Sequence, residues 1–285
     1  MRARMKKWAA SAAVLVIATA TLVAAQPGSG SAAATPGLQA YGISQNGTRM
    51  LAFKTNTPEQ QDWVRRITGL VGDTSVIGID IRVQDNTLYA VGNQGGIYTI
   101  GIPSTIATKV SQLTETLYGT RFGVDFNPAA DRLRVISDNG QNLRHNLGDH
   151  TTTADTTLTT PPTTGPAKGV TAAAYTNNDL NATTNTTLFA INTTSDQVVI
   201  QSPANQGFLV ATGNLGVDAA PDTGFDIYSD LSNGKTVSST AFAVLTPASG
   251  YQTLYTVDLL TGAASIVGEF ALDVSDIAVA LDTTY

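Results

Sequence analysis

The chain of 285 residues contains no cysteine and only two histidines, His145 and His150. Without cysteine the protein has neither a disulfide bond nor a thiol nucleophile. Zinc sites are usually built from cysteine and histidine, so two histidines alone make such a site unexpected. The stability of the folded part must therefore come from a large hydrophobic core.

Charged residues are also few, at 13% of the chain. Four basic residues within the first seven positions precede an apolar run that ends at Ala25. This order is typical of a secretory signal peptide, so we predict a leader over residues 1–25. An uncleaved membrane anchor is the alternative, because the run is barely long enough to span a bilayer. We expect a secreted, periplasmic or cell-surface protein that has no membrane contact once the leader is cleaved.

The remaining chain is acidic, with 12 basic residues (16 minus 4) against 22 acidic ones, a net charge of −10. This balance argues against nucleic acid as a partner. Residues 26–37 are rich in Gly, Ser, Ala and Pro, which predicts a flexible linker. Residues 38–285 are then expected to form a single domain and a monomer.

Four segments repeat one pattern of four short strands, at a spacing of about 45 to 55 residues, which is typical of propeller blades. Each segment begins with a glycine and an apolar strand. In three of the four segments the second strand contains an aromatic residue. The opening strands read GIDIRV (78–83), GVDFNP (123–128), GVTAAAY (169–175) and GFDIYSD (224–230). Alternating apolar residues and turn residues between the strands predict an antiparallel meander in each segment.

The two ends of the chain complete this pattern. Residues 38–70 supply three strands without an opening strand, and residues 273–281 supply an opening strand alone. Joining them gives a fifth blade, so we predict an all-β, five-bladed β-propeller closed by its C-terminal strand. A six-bladed ring with an extra blade in residues 150–168 and an open β-sandwich are the alternatives.

An aspartate recurs in the opening strand of four blades, at Asp80, Asp125, Asp226 and Asp276, while Thr171 is aligned in the remaining one. Opening strands are innermost in a propeller, so four carboxylates are expected at one level of the channel. Such a group suits a hard cation, Ca²⁺ or Mg²⁺. The alternative is structural, with each aspartate accepting backbone N–H bonds within its own blade.

One repeat departs from the others at two arginines. Arg134 occupies a position that is aromatic in the sister blades, at Tyr89, Phe189 and Phe242. Arg144 is aligned with Tyr98 and Tyr255. A buried arginine needs partners, so one hypothesis is an internal ion pair with Asp125, with Asp138 or with an acidic residue of a neighbouring blade. The other is an anion pocket, because paired guanidiniums bind carboxylate or phosphate.

Further hydrogen bonds at the rim of that pocket are expected from Asn127, Arg132, Asn139, Gln141 and Asn142. The sequence has no complete catalytic signature. No serine lies in a G-x-S-x-G motif or beside a histidine in sequence, and no P-loop occurs. His145 and His150 are interpreted as core or surface residues rather than catalytic ones.

The stretch GTRFGVDFNPAADRLRVISDNGQNLRHNL (119–147) resembles the bacterial family called domain of unknown function 4394. The resemblance implies an exported, propeller-like protein with no assigned activity and no catalytic residues. The leading hypothesis is an exported binding or structural module that presents loops and a channel mouth to a protein, glycan or small anion. The alternative is a metal-assisted hydrolase or lyase that acts at the channel.

Overall fold

The computed structural model describes residues 37–248 and 250–283. The predicted leader, residues 1–25, and all but the last residue of the predicted linker lie outside these ranges. The described residues form twenty strands in five four-stranded antiparallel sheets, and one short 3-10 helix, Ala204–Gln206. None of the helices in the described ranges is long and apolar enough to cross a membrane.

Each sheet is one blade, numbered here in ring order. Blade 1 contains β1 (Gln39–Ser44), β2 (Arg49–Lys54), β3 (Thr57–Arg66) and β20 (Asp276–Val279). Blade 2 contains β4 (Val76–Arg82), β5 (Thr87–Gly92), β6 (Gly96–Ile100) and β7 (Ala107–Gln112). Blade 3 contains β8 (Phe122–Asn127), β9 (Arg132–Ser137), β10 (Asn142–Asn146) and β11 (Thr151–Ala154). Blade 4 contains β12 (Val170–Tyr175), β13 (Leu188–Asn192), β14 (Gln197–Gln201) and β15 (Leu209–Asn214). Blade 5 contains β16 (Gly224–Ser232), β17 (Lys235–Leu245), β18 (Thr253–Val257) and β19 (Ala264–Glu269).

The C-terminal strand closes the ring, as the sequence predicts. Strand β20 pairs antiparallel with β1, from Asp276 opposite Ile43 to Val279 opposite Ala40. The five-bladed prediction is confirmed, and the six-bladed and sandwich alternatives are wrong. Within the described chain, residues 150–168 provide β11 and a loop rather than a further blade.

The inner strands form the wall of the channel. Consecutive inner strands β20, β4, β8, β12 and β16 contact one another, and β16 contacts β20. The buried apolar residues of the described chain fall into five clusters, each shared by two neighbouring blades. Both faces of a blade are therefore apolar, because each face packs against a neighbour rather than against water.

Glycines near the start of the inner strands allow these strands to approach closely. A Cβ on Gly123 of β8 would lie 2.5 Å from the backbone nitrogen of Ala173 in β12. A Cβ on Gly224 of β16 would lie 2.7 Å from the Cα of Asp276 in β20. Only glycine fits where two backbones come this close, which explains the recurring opening glycine.

Candidate functional site

Three of the recurring aspartates meet in the channel. Asp80, Asp125 and Asp226 lie on β4, β8 and β16, and each is buried. One carboxylate oxygen from each lies within 4.8 Å of those of the other two. Their partners across the blade are the equivalent positions Tyr89, Arg134 and Phe242. The alignment of the second strands is therefore confirmed.

The other two aligned positions do not join this group. Asp276 pairs with Ile43 and lies beside Gly78, so among the described residues the close group contains three carboxylates, not four. In blade 4, Ala174 lies opposite Phe189 and takes the place expected for Thr171. The alignment of the opening strands is wrong in blade 4 because Gly169, with φ +74°, belongs to the turn before β12 rather than to the strand.

Each aspartate accepts a hydrogen bond from the inner strand of the next blade, and Asp80 and Asp226 also accept one within their own strand, from Ile81 N and Ile227 N. The four bonds to the next blade are Ile79 N to Asp276 Oδ2 (2.8 Å), Phe126 N to Asp80 Oδ2 (2.7 Å), Tyr175 N to Asp125 Oδ1 (3.0 Å) and Val279 N to Asp226 Oδ2 (2.5 Å). The expectation that each serves its own blade is thus incomplete. At the junction of blades 4 and 5, Ser229 Oγ accepts from Asn178 N at 2.9 Å instead.

Burial dominates the electrostatics of the channel. It raises the pKa of Asp80 and of Asp125 well above the ordinary value, and the charge of Asp226 raises both further. Burial also raises the pKa of Asp226 to about 6, and raises that of Asp276. Like charges at this separation cannot all ionise without compensation, so the group either retains protons near neutral pH or holds a cation.

A second group of predicted residues surrounds a cavity of about 210 Å³ between blades 3 and 4. Three arginines line it, Arg132 and Arg134 on β9 and Arg144 on β10. The remaining lining residues are Asn127, Ala130, Tyr175 and Asn205. Three of the predicted ligand-binding residues, Arg134, Arg144 and Asn127, thus share one cavity.

Arg134 is 2% exposed and is held by four neighbours. Its Nη1 donates to Asn142 Oδ1 at 2.7 Å and to Asp155 Oδ2 at 2.8 Å. Its Nη2 donates to Asn205 Oδ1 at 2.7 Å, and its Nε donates to the Tyr175 hydroxyl at 3.3 Å. The guanidinium is therefore fixed in position by side chains from both blades.

Arg144 shares the same carboxylate. Its Nε and Nη2 donate to the two oxygens of Asp155, both at 3.1 Å, and its side chain is 32% exposed. The hydrogen bonds that Arg144 donates to Asp155 raise the pKa of Arg144. The partner of both arginines is thus Asp155, and the prediction of Asp125 or Asp138 was wrong. Asp155 is the only acidic residue in the segment 151–168, and this isolation was a signal that sequence reasoning missed.

The rim residues separate into those near the cavity and those elsewhere. Asn142 is buried and supports Arg134 rather than lining the cavity. Asn139 accepts a hydrogen bond from Lys168 Nζ at 3.1 Å. Gln141 binds the backbone of Thr116 and Tyr118. Neither Asn139 nor Gln141 lies at the cavity.

The third strands were aligned one residue out of register. Arg144 lies opposite Arg134, whereas Tyr98 and Tyr255 lie opposite Ala90 and Ala243. The equivalents of Arg144 are therefore Thr99 and Thr256. Because a shift of one residue moves a side chain to the other face of a strand, this register explains why Arg134 and Arg144 point to the same face.

A group that sequence reasoning missed connects blades 2 and 3. Ser111 Oγ lies 2.8 Å from His145 Nε2 and 2.9 Å from His150 Nδ1. Burial and the nearby His150 lower the pKa of His145 to about 4. The Nδ1 of His145 meets the hydroxyl of Thr152 at 2.9 Å, where a serine hydrolase has a carboxylate that orients the base. No sequence proximity could reveal this contact, because it joins strands β7 and β10.

The solved structures to which this chain is similar include two proteins. One is a protein of unknown function from Bacteroides thetaiotaomicron VPI-5482, with 15% identity and a TM-score of 0.52 over 87% of this chain and 68% of that chain. The other is the glutaminyl cyclase of Myxococcus xanthus, with 13% identity and a TM-score of 0.43 over 79% of this chain and 100% of that chain. An identity of 15% relates folds and not activities.

No curated protein matches the chain. A family model described as Domain of unknown function (DUF4394) matches residues 49–278. This range extends from β2 in blade 1 to the closing strand β20. Since the match covers most of the chain, the protein belongs to the family with this domain of unknown function.

Proposed function

We propose that this propeller is a binding module for a small anion, held in the cavity between blades 3 and 4. The observation that carries the proposal is an excess of positive charge. Three guanidiniums line the cavity, and two of them share the single carboxylate of Asp155. The predicted leader supports a role outside the cytoplasm.

The remaining donors suit a carboxylate, phosphate or sulfate group. Among the described residues, the hydrogen bonds of Arg132 go only to backbone oxygens, those of Ala130 at 3.0 Å and Asp131 at 2.7 Å. Arg144 uses Nε and Nη2 for Asp155 and keeps Nη1 for another acceptor. Guanidiniums that converge in this way bind an oxyanion through two parallel hydrogen bonds.

The size of the cavity restricts the ligand. A volume of about 210 Å³ equals that of about seven water molecules at ~30 Å³ each. It lies below the ~300–1,000 Å³ of pockets that enclose drug-sized ligands. Inorganic phosphate, sulfate or the carboxylate end of a sugar acid fits this space, whereas a large anion does not.

The test is thermal unfolding and calorimetric titration with phosphate, sulfate and glucuronate at constant ionic strength. A ligand at 100 times its Kd stabilises the protein by about 2.7 kcal/mol. We expect at least one anion to raise the Tm of the wild type, and Arg132→Leu and Arg144→Leu to abolish the rise. Arg49→Leu, at an exposed position on blade 1, is the matched control and should keep it. The proposal is contradicted if none of the three anions raises the Tm of the wild type, or if the control variant loses the rise in Tm as the other two variants do.

A second candidate rests on the three close carboxylates of Asp80, Asp125 and Asp226. Their spacing suits Ca²⁺ or Mg²⁺, and a bound cation could activate water for the hydrolase or lyase alternative. We expect Ca²⁺ or Mg²⁺ to raise the Tm of the wild type but not of Asp125→Asn. Asp276→Asn, a buried channel variant outside the close group, is the control. A wild type without bound metal and without this rise excludes both the cation and the metal-assisted reaction.

A further inference from the structure

A second cavity, of about 200 Å³, lies at the end of the channel where the inner strands begin. All five blades contribute to its wall. The contributing residues include Ser275 next to β20, Val76 of β4, Phe122 of β8, Thr171 of β12 and Thr223 next to β16. This channel-mouth cavity is distinct from the arginine cavity, since the two have no lining residue in common.

Two buried hydroxyls in this wall have no hydrogen-bond partner within the described part of the chain. They are Ser44 Oγ and Thr171 Oγ1, and each residue is 1% exposed. Leaving a buried polar group unpaired costs about 1–3 kcal/mol. Two such hydroxyls around one cavity therefore indicate a ligand that supplies the missing hydrogen bonds.

The charges of the wall argue against an anion. Arg121 Nε lies 3.0 Å from Asp222 Oδ1, so the positive charge is already compensated, although this nitrogen makes no aligned hydrogen bond. Asp273 adds a further negative charge to the wall. The ligand must therefore exchange hydrogen bonds with hydroxyls without carrying a net negative charge.

We infer that the channel mouth binds a neutral polyhydroxyl ligand, a single sugar residue. Sugar hydroxyls both donate and accept, as the hydroxyls of Ser44 and Thr171 do. The ring of Phe122 and the side chain of Ile77 provide apolar contact for the C–H face of a sugar ring. The volume equals about seven waters at ~30 Å³ each, which suits one sugar ring rather than a disaccharide.

The test is saturation-transfer NMR together with thermal unfolding in glucose, galactose, mannose and N-acetylglucosamine at millimolar concentration. We expect at least one sugar to bind, and Ser44→Ala and Thr171→Val each to weaken it about tenfold, which corresponds to ~1.4 kcal/mol. Neither substitution should lower the stability of the free protein, because each removes an unpaired hydroxyl. Thr246→Val removes an unpaired hydroxyl outside the cavity and is the matched control.

The variant Arg144→Leu separates this site from the anion cavity, since it should bind sugar as well as the wild type does. Failure of all four sugars to bind overturns the inference. This outcome does not depend on the result of the anion titration, which tests the arginine cavity. Binding that is insensitive to both Ser44→Ala and Thr171→Val also overturns it. So does tighter binding of glycine, which would assign the cavity to a zwitterion.

Discussion

The two faces of blade 3 pack against their neighbours in opposite ways. Toward blade 2, Leu133, Val135 and Leu143 enter an apolar cluster. Toward blade 4, Arg134 and Arg144 meet Asp155 beside a cavity. Both faces belong to the same two strands, β9 and β10, so the contrast arises from side-chain alternation alone.

Equivalent positions make the comparison direct. Tyr89 of blade 2 packs on Phe126 of blade 3, with ring centroids 5.1 Å apart and planes at 65°. Arg134, the counterpart of Tyr89, contacts the hydroxyl of Tyr175 in blade 4. The aromatic pair fills its junction, whereas the guanidinium leaves space beside it. Replacing a buried ion pair of this kind with apolar residues is often neutral or stabilising, so stability alone does not account for the polar junction.

The largest effect is expected from breaking the polar junction at its carboxylate. Asp155→Asn leaves the buried Arg134 without a counter-ion, and removing one partner of a buried pair costs about 3–5 kcal/mol. Urea unfolding monitored by circular dichroism measures the loss.

The control is Asp131→Asn, in a pair with Arg82 at a partly exposed rim. Exposed pairs contribute about 0–1 kcal/mol, so this variant should unfold close to the wild type. If Asp155→Asn costs no more than the control, the junction does not depend on its ion pair and the contrast between the two faces disappears.

A smaller effect is expected when the polar junction is made to resemble the apolar one. The double variant Arg134→Met, Asp155→Leu removes both charges together, and such replacements of buried pairs are often neutral or stabilising. We expect it to be more stable than Asp155→Asn by at least ~1 kcal/mol and to lose any anion-dependent rise in Tm. A double variant as unstable as the single one would show that the groups left without partners dominate the cost, namely Asn142 and Asn205, which lose a donor, and Arg144, which loses its carboxylate.

Sequence reasoning reached the blades because their signals are local: strand alternation, turns and an opening glycine. It identified Arg134 because a charged residue at a position that is aromatic in the other repeats is visible when the repeats are aligned. It failed on Thr171 and on the counterparts of Arg144, where strand register decides the answer. It also missed the contact of Ser111 with His145, because only the packing of blade 2 against blade 3 brings β7 beside β10. A single sequence contains no pattern that identifies contacts between residues of different blades.

The smallest net effect is expected in the pH dependence of wild-type stability, because the contributions of the face toward blade 2 and of the channel have opposite signs and largely cancel. His145, on the face toward blade 2, has its pKa lowered from 6.5 to about 4 by burial. Between these values the unfolded chain binds more protons, so this group destabilises the fold as the pH falls from 6.5 to 4. Asp226 has its pKa raised from 3.8 to about 6, so the folded state binds more protons and gains stability as the pH falls from 6 to 3.8.

Separate variants resolve these opposing contributions. His145→Gln keeps a neutral hydrogen-bonding side chain beside Ser111 and removes the loss, so its stability should improve relative to the wild type on acidification. Asp226→Asn removes the gain, so its stability should decrease relative to that of the wild type as the pH falls over the same range. Urea midpoints measured between pH 4 and pH 7 test both slopes. The protonation of His145 disrupts only the junction with blade 2. If the slope of stability against pH is the same in His145→Gln as in the wild type, this junction tolerates a charge. The apolar face of blade 3 would then accept a buried charge as readily as the arginine face does.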